Sequence, residues 1–206
     1  MSGDKVASAT SLLWAMKKYE DITKKIFDYI LELPCVSPLR DNNDIDQALS
    51  KIKNLDYDSV ISYVDTGEKH PFRLKRIINN KVFNFCKEYP EIEKKSFRQN
   101  FEPSYIRNGA IYLVSRKCLI NYGSRIGHNS FPLIMPPTKS INIDEKFDLV
   151  QAKLLIENGY CKNIPQKEIK IKHIKKKENR IAISTPMHFM TDLKEYILPN
   201  TITYPI

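Results

Sequence analysis

The stretch Ile26-Phe27-Asp28-Tyr29-Ile30-Leu31-Glu32-Leu33 is the part of the chain on which its fold depends. Its aliphatic and aromatic residues predict a short buried strand. Pro34 and Pro38 follow and force a loop, because proline fixes its own backbone and restricts the residue before it. In open α/β sheets ligands bind at the carboxyl ends of strands. This loop is therefore the first candidate for a functional site.

Helically spaced apolar residues on both sides of this strand predict two helices, the first ending at about Lys24. The expected caps are Thr10 or Ser11 for the first helix and Asn43 or Asp44 for the second. A second strand is predicted over 59–64. The order helix, strand, loop, helix, strand is typical of a doubly wound α/β fold, with a mostly parallel sheet and helices on both faces.

The middle of the chain departs from this order. Segments 72–78 and 82–86 flank Asn79-Asn80, which tolerate positive φ and predict a hairpin turn. Further strands are expected over 109–115 and 131–135. An amphipathic helix is predicted over 147–158, ended by Asn158-Gly159. Its expected apolar side consists of Phe147, Val150, Leu154 and Leu155.

The last 46 residues differ in character from the rest. Residues 161–180 are rich in lysine and are expected to form a basic linker or an exposed strand. Residues 181–206 begin like a strand followed by a helix, as at the start of a second α/β domain. We therefore expect a first domain over 1–160 and a chain that is a fragment cut at both ends.

The charge balance favours an anionic partner. Lys and Arg number 33 against 24 Asp and Glu, a formal net charge of +9. Nucleotide phosphates, a sugar carboxylate or nucleic acid all fit this excess, and so does a surface that simply uses lysine freely. The basic tail carries no aromatic stacking motif, so nucleic acid is not the expected partner.

Three absences in the sequence bear on its location. The four cysteines have no C-x-x-C spacing, which argues against a zinc site and fits a reducing cytosol. No apolar run reaches the roughly 18 residues of a membrane span. No signal peptide precedes the first helix. We therefore expect a cytoplasmic protein without a membrane partner.

Four segments carry a resemblance to a known family through their order along the chain. They are Leu33-Pro34-Cys35-Val36-Ser37-Pro38-Leu39-Arg40, Arg98-Gln99, Asn108-Gly109-Ala110-Ile111-Tyr112 and Ser140-Ile141-Asn142-Ile143-Asp144. The chain resembles the cytidylyltransferases that activate sialic acid and related nine-carbon sugar acids. The resemblance covers about 4–158. It implies a nucleotide-diphospho-sugar transferase-like fold that lacks the family's first βα unit and nucleotide loop, with the hairpin as a dimer contact.

The resemblance also implies an activity. CMP would pass from CTP to a nonulosonic acid of the sialic, legionaminic or pseudaminic type, with release of pyrophosphate, in a homodimer that uses Mg²⁺. Two alternatives stay open. The acceptor is another sugar acid, such as the eight-carbon acid of lipopolysaccharide, or the chain is a catalytically incomplete fragment or remnant. The missing nucleotide loop favours the remnant.

A metal site is implied at Asn142 and Asp144. Alternate residues of an extended segment point to one face, and magnesium prefers hard oxygen ligands. The family has aspartate at both positions, so Asn142 lowers the charge of this site by one. The alternative is that Asp144 and Asp148 only cap the helix that follows.

A sugar site is implied by the remaining motif residues. Arg98 would bind the carboxylate as a catalytic residue, because the guanidinium fork matches a carboxylate; the alternative is a solvated surface charge. The expected substrate-binding residues are Ser37, Arg40, Gln99, Asn108, Gly109 and Tyr112. Tyr112 is alternatively a core tyrosine. Pro34 replaces the family's sugar-contacting glutamine, so either the acceptor differs or the loop binds through other groups.

Overall fold

A computed structural model describes residues 7–54, 57–87, 101–161, 181–184 and 203–204. Their helices are α1 (Ser8–Thr23), α2 (Asn42–Asn54), α3 (Arg116–Tyr122) and α4 (Lys146–Glu157). Their strands are β1 (Tyr29–Glu32), β2 (Ser59–Asp65), β3 (Lys75–Ile78), β4 (Lys81–Asn84), β5 (Tyr105–Ser115), β6 (Ser130–Ile134), β7 (Ile181–Ser184) and β8 (Thr203–Tyr204). Short 3-10 turns lie at Gly67–Lys69, Pro71–Arg73 and Pro137–Lys139.

Six of these strands form one mixed sheet in the order β6-β2-β5-β1-β7-β8. The pairs β2–β6 and β1–β7 are parallel, whereas β5 is antiparallel to both of its neighbours and β8 to β7. The α/β class is confirmed. The expectation of a mostly parallel sheet is wrong, because three of the five strand pairs described in this sheet are antiparallel. The cause is the long connection between the end of β2 and the start of β5. Its end is tied to its start by the hydrogen bond from the Thr66 amide to the Ser104 carbonyl at 2.9 Å, so β5 begins where β2 ends and runs back.

Helices cover both faces of the sheet, as the doubly wound arrangement requires. On one face Ala48 and Ile52 of α2 pack against Leu31, Val60 and Leu113. The opposite face is covered by α1 and α3. Its buried residues are Leu12, Met16, Ile30, Val114, Cys118 and Leu119. Successive residues of β1 thus enter opposite layers, which is the alternation expected of a central strand.

The helix caps differ from those expected. The first helix begins at Ser8, so Thr10 and Ser11 lie inside it rather than at its cap. The second is started by Asp41, whose carboxylate accepts a hydrogen bond from the Asp44 amide at 3.2 Å. The Asp44 carboxylate accepts in return from the Asp41 amide at 2.8 Å. This reciprocal pair is a capping box, which satisfies two amides that the helix itself cannot.

The predicted hairpin is confirmed. β3 and β4 pair antiparallel around Asn79 and Asn80, whose φ angles are 48° and 60°. Asparagine tolerates this left-handed region better than most residues. The large apolar side chains of the hairpin region are exposed: Leu74, Ile77, Ile78, Val82, Phe83 and Phe85. Its role as a dimer contact stays a prediction.

The sequence did not predict α3, and it predicted the wrong buried side for α4. The short α3 was missed; it begins where the Ser115 hydroxyl accepts a hydrogen bond from the Cys118 amide at 3.1 Å. The predicted α4 is found, but its expected apolar side is wrong. Phe147, Val150 and Leu154 are exposed, and small Ala152 instead faces the core. Leu155 is partly buried with it, against a cluster that includes Leu39, Ile143 and Cys161.

The strand expected after residue 180 is found at Ile181–Ser184. It pairs in parallel with β1, from Tyr29 opposite Ile181 to Glu32 opposite Ser184, and so joins the same sheet. The proposed division of the chain at 160 and 180 stays a prediction. Residues 162–180 and 185–202 lie outside the described residues.

The loop 123–129 is anchored to the sheet by Asp58. Its carboxylate accepts hydrogen bonds from the amides of His128 at 2.9 Å and Asn129 at 3.1 Å. Gly127 lies directly against this anchor, with φ +71°. A Cβ at Gly127 would lie 2.5 Å from the Asp58 Cβ and 2.8 Å from the Cys118 sulfur. Burial, with a smaller effect of Asp58, raises the pKa of the Cys118 thiol to about 11, so it is protonated at neutral pH.

Replacement of Gly127 tests this packing. We expect Gly127→Ala to lower the free energy of unfolding by about 3 kcal/mol, because it adds a collision to an unfavourable φ. Gly123→Ala is the matched control, since Gly123 also has positive φ (57°) but nothing within 4 Å of the added methyl. We expect it to cost about 1 kcal/mol. Urea denaturation measures both, and equal losses would contradict the packing argument.

Candidate functional site

The loop after β1 is held in shape by Arg40. Its guanidinium donates hydrogen bonds to the carbonyls of Pro34, at 2.7 Å, and Ser37. Burial lowers the pKa of Arg40 to about 10, and the negative charge of Asp44 opposes that decrease. Arg40 is therefore still a cation at neutral pH. Arg40, which was predicted to bind substrate, instead binds backbone carbonyls of its own loop.

Ser37 lies at the centre of the candidate site. Its side chain is fully buried, and its hydroxyl reaches the Asn142 amide oxygen at 3.0 Å and the Asn108 carbonyl at 3.3 Å. A hydroxyl has one hydrogen, so the two acceptors share it. The motif segments 33–40, 108–112 and 140–144 therefore meet at one side chain.

Asn108 extends this network. Its amide nitrogen donates to the Ser140 hydroxyl at 2.9 Å, and its amide oxygen accepts from the Ala110 backbone amide at 3.2 Å. Between them stands Gly109, with φ +72°; a Cβ there would lie 3.3 Å from the Ser37 hydroxyl. Glycine therefore both allows the backbone bend and leaves room for Ser37.

Asn142 and Asp144 lie side by side in a loop rather than in a strand. The Asn142 amide donates to the Asp144 carboxylate at 2.6 Å. The backbone amide of Ile143 between them donates to the Val36 carbonyl at 2.7 Å, which ties this loop to the one after β1. The capping contact belongs to Asp148, whose carboxylate accepts from the amides of Asp144 at 3.0 Å and Glu145 at 2.8 Å. The Asp144 side chain is exposed beside it.

The donor set at Asn142 and Asp144 limits the kind of metal that fits. Among the residues described, no group of three or more His, Cys, Asp or Glu side chains is arranged to hold a metal ion. One carboxylate and one amide oxygen are too few for a resident ion. The Asn142 oxygen already accepts from Ser37 and its nitrogen faces Asp144, so Asn142 would reach an ion only with its amide reversed. Asp144 fits magnesium that arrives with phosphate and water oxygens, since this ion keeps several such ligands.

The remaining predicted residues are placed elsewhere. Arg98 and Gln99 lie outside the described residues. Tyr112 is buried, and its ring lies under the guanidinium of Arg125, 4.3 Å from the ring centroid. Arg125 in turn pairs with buried Glu32 at 2.6 Å. The sequence did not predict Arg125 or Glu32 as neighbours of Tyr112. Their contacts depend on the register of β1 and β5, which places Glu32 opposite Tyr112.

An ion-pair cluster that was not predicted from the sequence joins Lys139, just before the loop 140–144, to the start of α2. The Lys139 ammonium lies 2.8 Å from Asp41 and 3.1 Å from Asp44. Burial opposes the charged form of Lys139, but hydrogen bonds to both carboxylates outweigh it and raise its pKa. Burial likewise opposes a charged Asp41, yet hydrogen bonds from Lys139 and the Asp44 amide lower its pKa. Burial raises the pKa of Asp44, and the charge of Asp41 adds to that effect.

Two clefts of the described chain lie away from this network. One of about 400 Å³ is lined by Tyr63, Tyr105, Pro132 and Ile134. Another of about 830 Å³ lies at the other ends of these strands, between Asp58, Ser115 and His128. Ser37, Asn108 and Asn142 line neither cleft. No helix of the described chain has the length and apolar character needed to cross a bilayer.

Comparison with known proteins finds distant relatives of this chain. No family model matches the chain. It is 25% identical over 172 residues to "Post-translational flagellin modification protein B" of Campylobacter coli, a match that covers 82% of this chain and 68% of that protein. It is 25% identical over 152 residues to the N-acylneuraminate cytidylyltransferase of Streptococcus agalactiae serotype V, which covers 74% of this chain and 35% of that enzyme.

A vertebrate enzyme gives a similar match. N-acylneuraminate cytidylyltransferase B of Danio rerio is 26% identical over 134 residues, covering 65% of this chain and 31% of the enzyme. The chain thus spans about a third of the length of these two cytidylyltransferases. The resemblance predicted from the sequence is confirmed: the chain is a distant relative of N-acylneuraminate cytidylyltransferases.

Asn108 tests whether the network holds the site together. We expect Asn108→Ala to lower the free energy of unfolding by about 1–3 kcal/mol, because the buried Ala110 amide loses its acceptor. Asn43→Ala is the control, as Asn43 is an exposed residue of α2, and we expect it to change stability by less than about 0.5 kcal/mol. Thermal and urea unfolding of both variants measure this difference. A stable Asn108→Ala protein would show that other groups hold the three segments.

Proposed function

We propose that this chain is a cytidylyltransferase, or part of one, that transfers CMP from CTP to a nonulosonic acid. One observation carries the proposal. Three of the four segments on which the resemblance rests, far apart in sequence, meet at the buried hydroxyl of Ser37. The fourth, Arg98-Gln99, is proposed to complete the sugar side of the site. The names of the cytidylyltransferase relatives support the same reaction.

The proposed reaction is a displacement at phosphorus. The anomeric hydroxyl oxygen of the acid attacks the α-phosphorus of CTP, and the bond from that phosphorus to the oxygen bridging the α- and β-phosphates breaks. Pyrophosphate leaves, and the hydroxyl proton passes to water. Such a reaction depends on positioning and on stabilising charge. Magnesium, held through Asp144 and Asn142, would supply the positive charge that the phosphates need.

The protein's own residues would hold the acceptor. Gly109 is proposed to contact the acceptor through its bent backbone, since the space beside its Cα is taken by Ser37 and Asn142. Asn108 and Ser37 fix the loops around it, and we propose that Arg98 binds the sugar carboxylate through its guanidinium. Tyr112 is proposed to contact the sugar from the edge of its ring, since its face is covered by Arg125.

A second acceptor class is favoured by one contact. Pro34 stands where the family has glutamine, and its carbonyl already accepts from Arg40 at 2.7 Å. Pro34 has no side-chain amide, so this loop would contact the acceptor through other groups, and the shape of the acceptor it accommodates would differ. A sugar acid of different size, such as an eight-carbon acid, is the corresponding second candidate.

Pyrophosphate release with CTP, magnesium and a panel of eight- and nine-carbon sugar acids tests the proposal. We expect turnover with one class of acid. Asp144→Ala should lower kcat about 100-fold by removing the carboxylate at the metal, whereas Asp21→Ala, at an exposed position of α1, should not. Asn142→Asp should lower the magnesium concentration at half-maximal rate. A folded protein that neither binds CTP nor releases pyrophosphate would overturn catalysis by this chain and favour the alternative, a catalytically incomplete fragment or remnant.

We propose a second copy of the chain as its partner, bound through the hairpin. Ile77 and Val82 face each other across β3 and β4 and are 74% and 66% exposed. Sedimentation equilibrium should show a dimer that the double variant Ile77→Asp with Val82→Asp makes monomeric. Ile22→Asp is the control, because Ile22 is equally exposed on α1. A monomeric parent protein would rule this partner out.

A further inference from the structure

We infer that Lys139 is a positioning residue, whose ammonium sets the placement of the loop 140–144 against the loop 33–41. The inference rests on the proposed function, because these two loops are the proposed site. It concerns a residue that the family motifs leave out. The contact joins residues 98 and 95 positions apart in sequence.

The hydrogen bonds described for the Lys139 ammonium all go to carboxylates. Lys139 donates to one oxygen of Asp41 at 2.8 Å and to both oxygens of Asp44 at 3.1 Å. A lysine has three N–H donors and no acceptor. The two Asp44 oxygens lie close enough together to share one donor, so at least two of the three N–H groups are directed at carboxylates of this chain.

The two ends of this contact are rigid. Asp41 and Asp44 are fixed to each other by their reciprocal capping hydrogen bonds at the start of α2. Lys139 lies in the turn Pro137–Lys139, where its amide donates to the Pro136 carbonyl at 3.0 Å. The next residue, Ser140, contacts Asn108. A displacement of Lys139 would thus pass directly to the network around Ser37.

Stability alone does not explain this arrangement. Ion pairs as buried as this one, with side-chain exposures of 6–19%, gain little over neutral groups of similar shape. They do fix one geometry, because each charge requires its partner. Misplacing reacting groups by about 1 Å can lower a rate about 100-fold. Positioning is therefore the role in which this group has its largest effect.

The test uses Lys139→Met and, because that change leaves two buried carboxylates without a cation, the double variant Lys139→Met with Asp44→Asn. Hydrogen exchange of the Ile143 amide reports the contact between the loops, since it donates to the Val36 carbonyl. We expect the double variant to fold, to exchange this amide about tenfold faster, and to lose about tenfold in kcat with little change in the KM for CTP. Lys139→Arg should restore part of kcat.

Arg116→Met is the matched control. Arg116 pairs with Glu20 at 2.6 Å with comparable burial, but on the face of α1 and α3. It should lower the melting temperature without changing Ile143 exchange or kcat. Unchanged exchange and kcat in the folded double variant would overturn the inference. A parent protein without turnover would count against the proposed function, while the exchange measurement would still decide the role of Lys139.

Discussion

The buried hydroxyl of Ser37 is the constraint on which the rest of the site depends. Its contacts with Asn108 and Asn142 are accommodated by Gly109, where a Cβ would lie 3.3 Å from the hydroxyl, and by Arg40, which binds the carbonyls of the loop after β1. The antiparallel course of β5 brings the segment 108–112 to the carboxyl end of β1, where a parallel strand would place its opposite end. The reversal of one strand is therefore what lets the three motif segments meet.

Local signals in the sequence predicted local structure well. The asparagine pair at 79–80, the apolar period of α2 and the strand before Pro34 each act within a few residues, and each element is found. Errors arose where distant contacts decide. The direction of β5 depends on the bond between Thr66 and Ser104. The inner face of α4 depends on space beside Leu39, which admits Ala152 rather than Phe147.

The candidate site was predictable to the extent that motif order implies convergence. Ser37, Asn108, Gly109, Asn142 and Asp144 lie together in the structure, and their roles in a site stay predictions. Pairs between distant charges were not predictable, because nothing local to Glu32 or Asp41 indicates Arg125 or Lys139 as a partner. The inward turn of Arg40 was missed for a related reason: its acceptors are backbone carbonyls, which every residue offers.

The position of β7 has a consequence for the strand that leads to the site. β1 is bonded on one side by β5 and on the other by β7, so residues from the last part of the chain complete the hydrogen bonding of residues 29–32. A shortened protein without Ile181–Ser184 would leave that side of β1 as an open edge, and open edges pair readily with strands of other molecules. The integrity of the loop after β1 is thus linked to a segment more than 140 residues downstream.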